Sequence, residues 1–372
     1  MKLRELETPA ILVDRPTLMH NLKRYQEACD GHGKALWPMV KTHKSVELAR
    51  LQKELGAAGF LCGTLDECET LCDAGLTPLM YAYPVADEVS CRRVAALAKR
   101  CEFYARLDDV DAAAALNEAA KAADVTVSYT LIVDCGFHRF GKKPEDAVEL
   151  AERLKGFENL RFAGLSTHPG HVYGEADPAN MSRYGADEVK ALKVAASALR
   201  EAGFRVHMIT SGSTPTFWDA VGTDVVDVFH PGNYVFQDCI QMANGTARES
   251  DCALTVYATV ISHPSPDLWI CDAGAKCLGL DKGAHGNASV QGHGCIVGHP
   301  ELSLDGLSEE VGKIHAHGET DLKVGDRIRI IPNHACSAAN LTDWLILVEG
   351  EDVVGSMAVD ARSNRTVKGM EG

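Results

Sequence analysis

Lys41 follows the apolar run Ala35-Leu-Trp-Pro-Met-Val40 and opens the polar stretch Thr42-His43-Lys44. An amine at the end of a strand can form an imine with an aldehyde cofactor. Far downstream, Pro332-Asn333-His334-Ala335-Cys336 sets an imidazole and a thiol one residue apart, a donor pair that suits zinc. Together the two features point to pyridoxal phosphate (PLP) chemistry assisted by a metal Lewis acid. Neither carries that reading alone. A lysine after a strand is ordinarily a surface charge, and most His-x-Cys pairs are a surface imidazole beside a packed thiol.

Four further segments carry suitable groups. Ser211-Gly212-Ser213-Thr214-Pro215-Thr216 combines small residues, which let backbone N–H groups approach a phosphate, with hydroxyl donors. Pro231-Gly232-Asn233-Tyr234 offers a second set of backbone donors and a phenol. His168, in Ser166-Thr167-His168-Pro169-Gly170-His171-Val172-Tyr173, can lie flat against an aromatic ring. In Asp134-Cys135-Gly136-Phe137-His138-Arg139-Phe140-Gly141 the glycines allow a tight strand exit, and Arg139 can pair with a carboxylate or hold a cofactor hydroxyl. Taken singly, each of these is equally a solvated turn or a hydrogen-bonded loop.

The elements that must position these groups alternate. Apolar runs at 35–40, 59–62, 78–83, 102–106, 125–134, 161–166, 205–210 and 225–229 are separated by stretches such as 46–55, 86–99, 110–123, 144–155 and 186–202. Several of those stretches have apolar residues three and four apart, the period of a buried helical stripe. Strand alternating with helix implies parallel pairing, and eight units are the count of a (β/α)8 TIM-type barrel, with a doubly wound open sheet as the alternative. In a barrel the functional groups lie just past the C-terminal strand ends. Those positions hold Lys41, Gly63, Pro84, 134–139, His168, 211–214 and 230–234, the last two being the seventh and eighth loops.

After about residue 246 the rhythm changes. Runs at 254–263, 268–272, 323–332 and 344–359 read as strands without intervening helices, with turn signals at Gly325-Asp326 and Gly350-Glu351. The expected organisation is an α/β barrel over 10–245 and an all-β domain carrying the metal pair over 246–372. Residues 1–14 are offered to that second domain, since the run 10–14 has no partner among the eight. A length of 372 residues suits two domains. The net charge of −15 argues against nucleic acid or an anionic membrane as partner. There is neither a membrane-length apolar stretch nor the apolar core of a signal peptide, so a cytoplasmic location is expected. The 13 cysteines are irregularly spaced with no Cys-x-x-Cys, as in a reducing compartment.

Read end to end, the chain resembles the fold-type III, alanine racemase-like PLP enzymes, and within them the D-serine dehydratase / D-threonine aldolase family. The likeness rests on collinear motifs: Val-Lys-Thr-His-Lys at 40–44, Asp-x-Gly-x-His-Arg-x-Gly at 134–141 and His-x-Gly-x-x-Tyr at 168–173. It continues with Gly-Ser-Thr-Pro-Thr at 212–216, His-Pro-Gly-Asn-Tyr at 230–234, Asp-Ala-Gly-x-Lys at 272–276 and Pro-Asn-His-x-Cys at 332–336. The resemblance implies that Lys41 is the Schiff-base lysine with Arg139 near it, that His168 stacks on the pyridine ring and that Tyr173 lies near the cofactor. It places Ser213, Thr214, Gly232, Asn233 and Tyr234 around the phosphate, and His334 and Cys336 on the metal. It also implies a homodimer in which the β domain of one chain faces the barrel of the other. Two departures stand out: Trp37-Pro38-Met39 replaces an Arg-Pro-His common in the family, and His230 stands where alanine racemases have an arginine.

The expected activity is a lyase acting on a D-β-hydroxy amino acid. Dehydration of D-serine to pyruvate and ammonia is the favoured reaction, because thiolate plus imidazole suits Zn2+. A D-threonine or 3-hydroxy-D-aspartate type of aldol cleavage to glycine and an aldehyde, with Mn2+ or Mg2+, is the alternative. Racemase activity and a non-catalytic PLP-binding protein are the lesser ones; PLP storage needs neither a second domain nor a metal pair.

Overall fold

The computed structural model of the chain describes residues 1–175, 177–285 and 288–362. The sequence has a short polar tail after Asp360, and most of it lies outside these residues. The chain divides into two compact units, one of Met1–Arg24, Tyr173–Ala179 and Asn233–Val359, the other of Tyr25–Val172, Asn180–Gly232 and the described residues from Asp360 on. Among the described residues no helix is long and apolar enough to cross a membrane.

The second unit is the barrel. Its eight parallel strands are Ala35–Leu36, Phe60–Cys62, Leu79–Tyr81, Phe103–Leu107, Val127–Ile132, Leu160–Ser166, Met208–Ser211 and Val228–Phe229. Each pairs with its neighbour in chain order from Phe60–Cys62 to Val228–Phe229, which then pairs Ala35–Leu36; a single Met39–Leu61 bridge nearly closes the ring. Helices return the chain between strands, and the sequence starts them with side-chain caps: Ser45, Thr64, Asp87 and Asp109 accept the amides of Leu48, Glu67, Ser90 and Ala112. The interior is filled by Trp37, Met39, Leu61, Met80, Ala82 and Val228, each largely removed from water, at roughly 1.5–3 kcal/mol for a side chain of Leu or Met size.

The first unit is built on a nine-stranded sheet. Ala10–Asp14 pairs antiparallel with Leu254–Ser265 and parallel with Trp344–Glu349. Leu254–Ser265 also pairs Leu268–Cys271 and Arg327–Pro332, and the hairpin of Trp344–Glu349 with Asp352–Ala358 turns at Gly350-Glu351. Three strands escaped the sequence reading, Gly294–Ile296, Leu302–Leu307 and Gly312–Ala316, as did the short helices Cys239–Ala243, Ala275–Leu278 and Ala335–Ala339. The unit is thus mostly, not purely, β.

Candidate active site

Lys41 lies beyond its strand, not on it. Pro38 cannot donate to a ladder, so pairing stops at Leu36 and the lysine sits in a 3-10 turn, Val40–Thr42. Its ammonium donates to the Tyr83 hydroxyl at 3.5 Å and has no carboxylate partner among the described residues. Gly63 makes room for it, since a Cβ there would stand 2.8 Å from the Lys41 Cβ. Lys44 is disposed differently: its ammonium lies 2.5 Å from Glu67, a fully buried carboxylate whose other oxygen accepts the Gly63 amide at 2.6 Å. His43 is buried; desolvation drops its pKa to about 3, and its Nδ1 accepts the Ser45 amide. It is a neutral structural residue.

The loop that carries Arg139 is held by Asp134, whose Oδ1 accepts the amides of Gly136 and His138 at 2.9 and 3.0 Å. Arg139 then lies over Phe137, Phe140 and Tyr83, its guanidinium carbon 4.5, 5.1 and 5.8 Å from the ring centres. Arg106, Asp134, Phe137, Arg139, Phe140 and His168 all line one pocket of the barrel unit. His168 Nδ1 is 2.8 Å from the Gly212 carbonyl, which can only accept, so the proton sits on Nδ1. Gly212 itself has φ +148°, and a Cβ there would be 2.7 Å from the His230 backbone nitrogen. His230 likewise donates through Nδ1, to the Trp37 carbonyl at 2.9 Å. Its pKa falls to about 3, chiefly by burial and then by Arg106, so Nε2 is a buried lone pair without a partner among the described residues.

The small-residue loops meet the lysine turn. Met39 donates its amide to the Pro231 carbonyl, and a Cβ on Gly232 would stand 2.7 Å from the Thr42 hydroxyl. Ser213 and Thr214 are buried, with the Ser213 and Thr216 hydroxyls 3.0 Å apart. Behind them Glu188, fully buried on the helix Met181–Glu201, accepts the Ser211 hydroxyl. Burial raises its pKa to about 7, against the opposing pull of Ser211 and Thr216.

Tyr173, Asn233, Tyr234, His334 and Cys336 belong to the other unit. Tyr173 packs on His285 there, ring centres 5.2 Å apart. Tyr234 is buried, and Asn233 donates its side-chain amide to Asp238 at 2.5 Å. That leaves the Asn233 Oδ1 without a partner among the described residues. His334 follows the strand Arg327–Pro332 and occupies the cap position of the short helix Ala335–Ala339. This bend turns Cys336 back, so that its sulfur hydrogen-bonds the His334 imidazole. Asp238, buried, lies 3.3 Å from His334 Nδ1 and accepts the Ala335 amide at 2.9 Å. Burial lowers the His334 pKa, but Cys336 and Asp238 outweigh it and hold it well above the ordinary value.

The mouth of the barrel suits a planar, anionic aldehyde. It offers an amine without a carboxylate partner, small Gly-Ser-Thr and Pro-Gly loops, and the orphaned His230 nitrogen. The metal half is an open donor set: among the described residues no three His, Cys, Asp or Glu side chains gather into a cage. His334 and Cys336 are a nitrogen and a sulfur donor of the kinds zinc takes, two of the three protein ligands an open zinc site ordinarily has, with Asp238 beside the imidazole. Sequence reading missed Tyr83, Arg106, Glu188 and Asp238. A phenol ending the third run and an arginine ending the fourth were the available signals. Glu188 and Asp238 gave none, since a carboxylate on a helix or before one is usually solvated.

Comparison with known proteins places this architecture. Residues 13–238 match the family model of the alanine racemase N-terminal domain, and residues 253–348 match a serine dehydratase domain. The chain therefore belongs to the alanine racemase-like, fold-type III family, for which PLP is the implied cofactor. Within that family it stands with the D-serine dehydratases and D-threonine aldolases. It is 31% identical to the D-threo-3-hydroxyaspartate dehydratase of Delftia sp. (strain HT23), over 89% of this chain and 91% of that one. A cysteine-to-alanine mutant of a D-threo-3-hydroxyaspartate dehydratase, solved in the metal-free form, superposes with a TM-score of 0.89 at 29% identity, over 96% of this chain and 98% of that one. The D-serine dehydratase of Dictyostelium discoideum is 27% identical over 94% and 96% of the two chains. The D-threonine aldolase structure from Filomicrobium marinum gives a TM-score of 0.89 at 28% identity, over 97% of both.

Proposed function

We propose that this chain is a PLP- and zinc-dependent lyase that removes water from a D-β-hydroxy amino acid, D-serine giving pyruvate and ammonia. The observation that carries the reading is Lys41, an amine whose hydrogen bond among the described residues is to the Tyr83 hydroxyl, while its neighbour Lys44 is committed to Glu67. Lys41 would bind the cofactor through Nζ, with Ser213, Thr214, Gly232, Asn233 and Tyr234 on the phosphate and His168, Arg139 and Tyr173 about the ring. When bound, PLP supplies an electron sink for the charge left at Cα, and zinc on His334 and Cys336 a Lewis acid for the β-hydroxyl.

Within that frame Lys41, released as the free amine when substrate takes its place, removes the Cα proton. Tyr83 keeps Nζ at the mouth, and Gly63 leaves its stem room to swing. Asp238 fixes the His334 ring so that the metal donors face one way. Loss of the Cα proton and of the β-hydroxyl leaves an enamine, which water converts to pyruvate and ammonia. The relatives named above support this, since two of them are dehydratases.

A second reading, cleavage of the Cα–Cβ bond to glycine and an aldehyde, is favoured by the likeness to the Filomicrobium aldolase along the whole chain. The soft sulfur donor at Cys336 weighs toward zinc and the elimination. The family resemblance also supports a homodimer as the working form; light scattering that finds a fully active monomer at micromolar concentration would remove that part. The test of the reaction is product identification from D-serine, D-threo-3-hydroxyaspartate and D-threonine. A keto acid with ammonia supports elimination, and glycine with an aldehyde supports cleavage.

A further inference from the structure

Arg106 is a cation inside the barrel. It lies on the strand Phe103–Leu107, is 4% exposed, and projects toward the interior face that also carries Met80. Its Nε donates to the Met80 sulfur at 3.2 Å and one terminal nitrogen donates to the Thr210 hydroxyl at 3.3 Å. No carboxylate pairs with it among the described residues. The charged and titratable groups that face it are Tyr83, Arg139 and His230, two cations or potential cations and one phenol. Burial therefore pulls its pKa down to about 9. A guanidinium is not left in such a place without cost, because buried charges are found paired or hydrogen-bonded to anions. Thioether and hydroxyl partners do not neutralise it.

Two further observations give the missing partner a place. Arg106 lines the same pocket as Asp134, Arg139 and His168, which follow the strand ends at Ile132 and Ser166. His230 leaves a buried, unprotonated Nε2 nearby, so the second heteroatom facing this region is an acceptor and adds no anion. We propose that Arg106 is a cofactor-binding residue, whose guanidinium completes the barrel by holding the anionic ring oxygen of PLP together with Arg139. This rests on the PLP reading above and adds to it a residue from inside the barrel. The charge would be satisfied in the loaded protein and unsatisfied in the empty one. Loading would then be coupled to stability through this one side chain.

The experiment compares wild type, Arg106→Met and Arg106→Lys, each as the full chain stripped of PLP and then titrated with it. Followed by absorbance, wild type should take up PLP on Lys41; if it takes up none, the PLP reading falls and this inference with it. Arg106→Met should bind PLP roughly 10- to 100-fold more weakly, the range of a lost charge-assisted hydrogen bond. Its visible band should give way to that of the form with a protonated ring oxygen at a higher pH than in wild type, because losing the cation raises the proton affinity of that oxygen. Without PLP, the same variant should melt higher than wild type by roughly 2–4 °C, because a long apolar side chain replaces an unpaired buried charge. Arg106→Lys should recover part of the affinity. Wild-type affinity and spectrum in Arg106→Met would overturn the assignment. So would an empty Arg106→Met protein that melts well below wild type, the mark of an arginine needed only for packing.

Discussion

The Glu67 carboxylate holds the Lys44 ammonium at 2.5 Å with one oxygen and the Gly63 amide at 2.6 Å with the other. One buried acid thus fixes the second lysine of the Val-Lys-Thr-His-Lys segment and the glycine against which the first one rests. Lys41→Ala should abolish the visible absorbance of bound cofactor with little loss of stability. Lys44→Met should keep the absorbance yet cost about 3 kcal/mol, since it strands a buried carboxylate. Absorbance spectra and urea unfolding of the two variants separate the roles; the opposite pattern would reassign the lysines.

Gly63→Ala makes a sharper test of the same geometry. The new Cβ would stand 2.8 Å from the Lys41 Cβ, closer than two such atoms approach, so the lysine stem must move. Cofactor uptake should slow and weaken while the melting curve of the empty protein stays cooperative. Unchanged uptake would mean that Lys41 does not depend on this wall.

Asp238 is expected to act on the metal through His334. Asp238→Asn should weaken zinc binding roughly 10- to 100-fold, as lost carboxylate support of a histidine ligand does, and leave the PLP spectrum intact. Because Asp238 also accepts the Ala335 and Gln241 amides, Cys336→Ala serves as the companion that spares those bonds. Metal analysis by plasma spectrometry after dialysis reads both. Full zinc content in both variants would leave the pair without a metal role.

The pH dependence of stability should carry the mark of Glu188. Its folded pKa of about 7 lies above the ordinary value of 4.5 because of burial. A raised folded pKa stabilises fully below pH 4.5, and the contribution is lost as pH rises through 7, amounting to about 3 kcal/mol. Glu188→Gln should flatten this fall in unfolding free energy between pH 4.5 and 7. Parallel curves for variant and wild type would show that the carboxyl is ionised throughout.

Much of this could be read in the residues themselves. The alternation of apolar runs with stretches of helical period located the barrel, and all eight strands fall on the expected runs or within two residues of them. What failed were elements without a period: Gly294–Ile296 is too short to show alternation, and Ala335–Ala339 is a single turn of small residues. At the site, motifs identified groups that project from loops but not those that face inward. Arg106 and Glu188 act because they are buried, and burial is a property of the packed barrel rather than of their neighbours in sequence.

The most direct test of the central proposal is the fate of D-serine carrying deuterium at Cα, incubated with protein loaded with PLP and zinc. Elimination through Lys41 predicts pyruvate and ammonia in equal amounts, deuterium lost from Cα, and no turnover once zinc is chelated until zinc is returned. Glycine and formaldehyde, with the deuterium still on the α-carbon, would contradict elimination and assign the site to aldol cleavage.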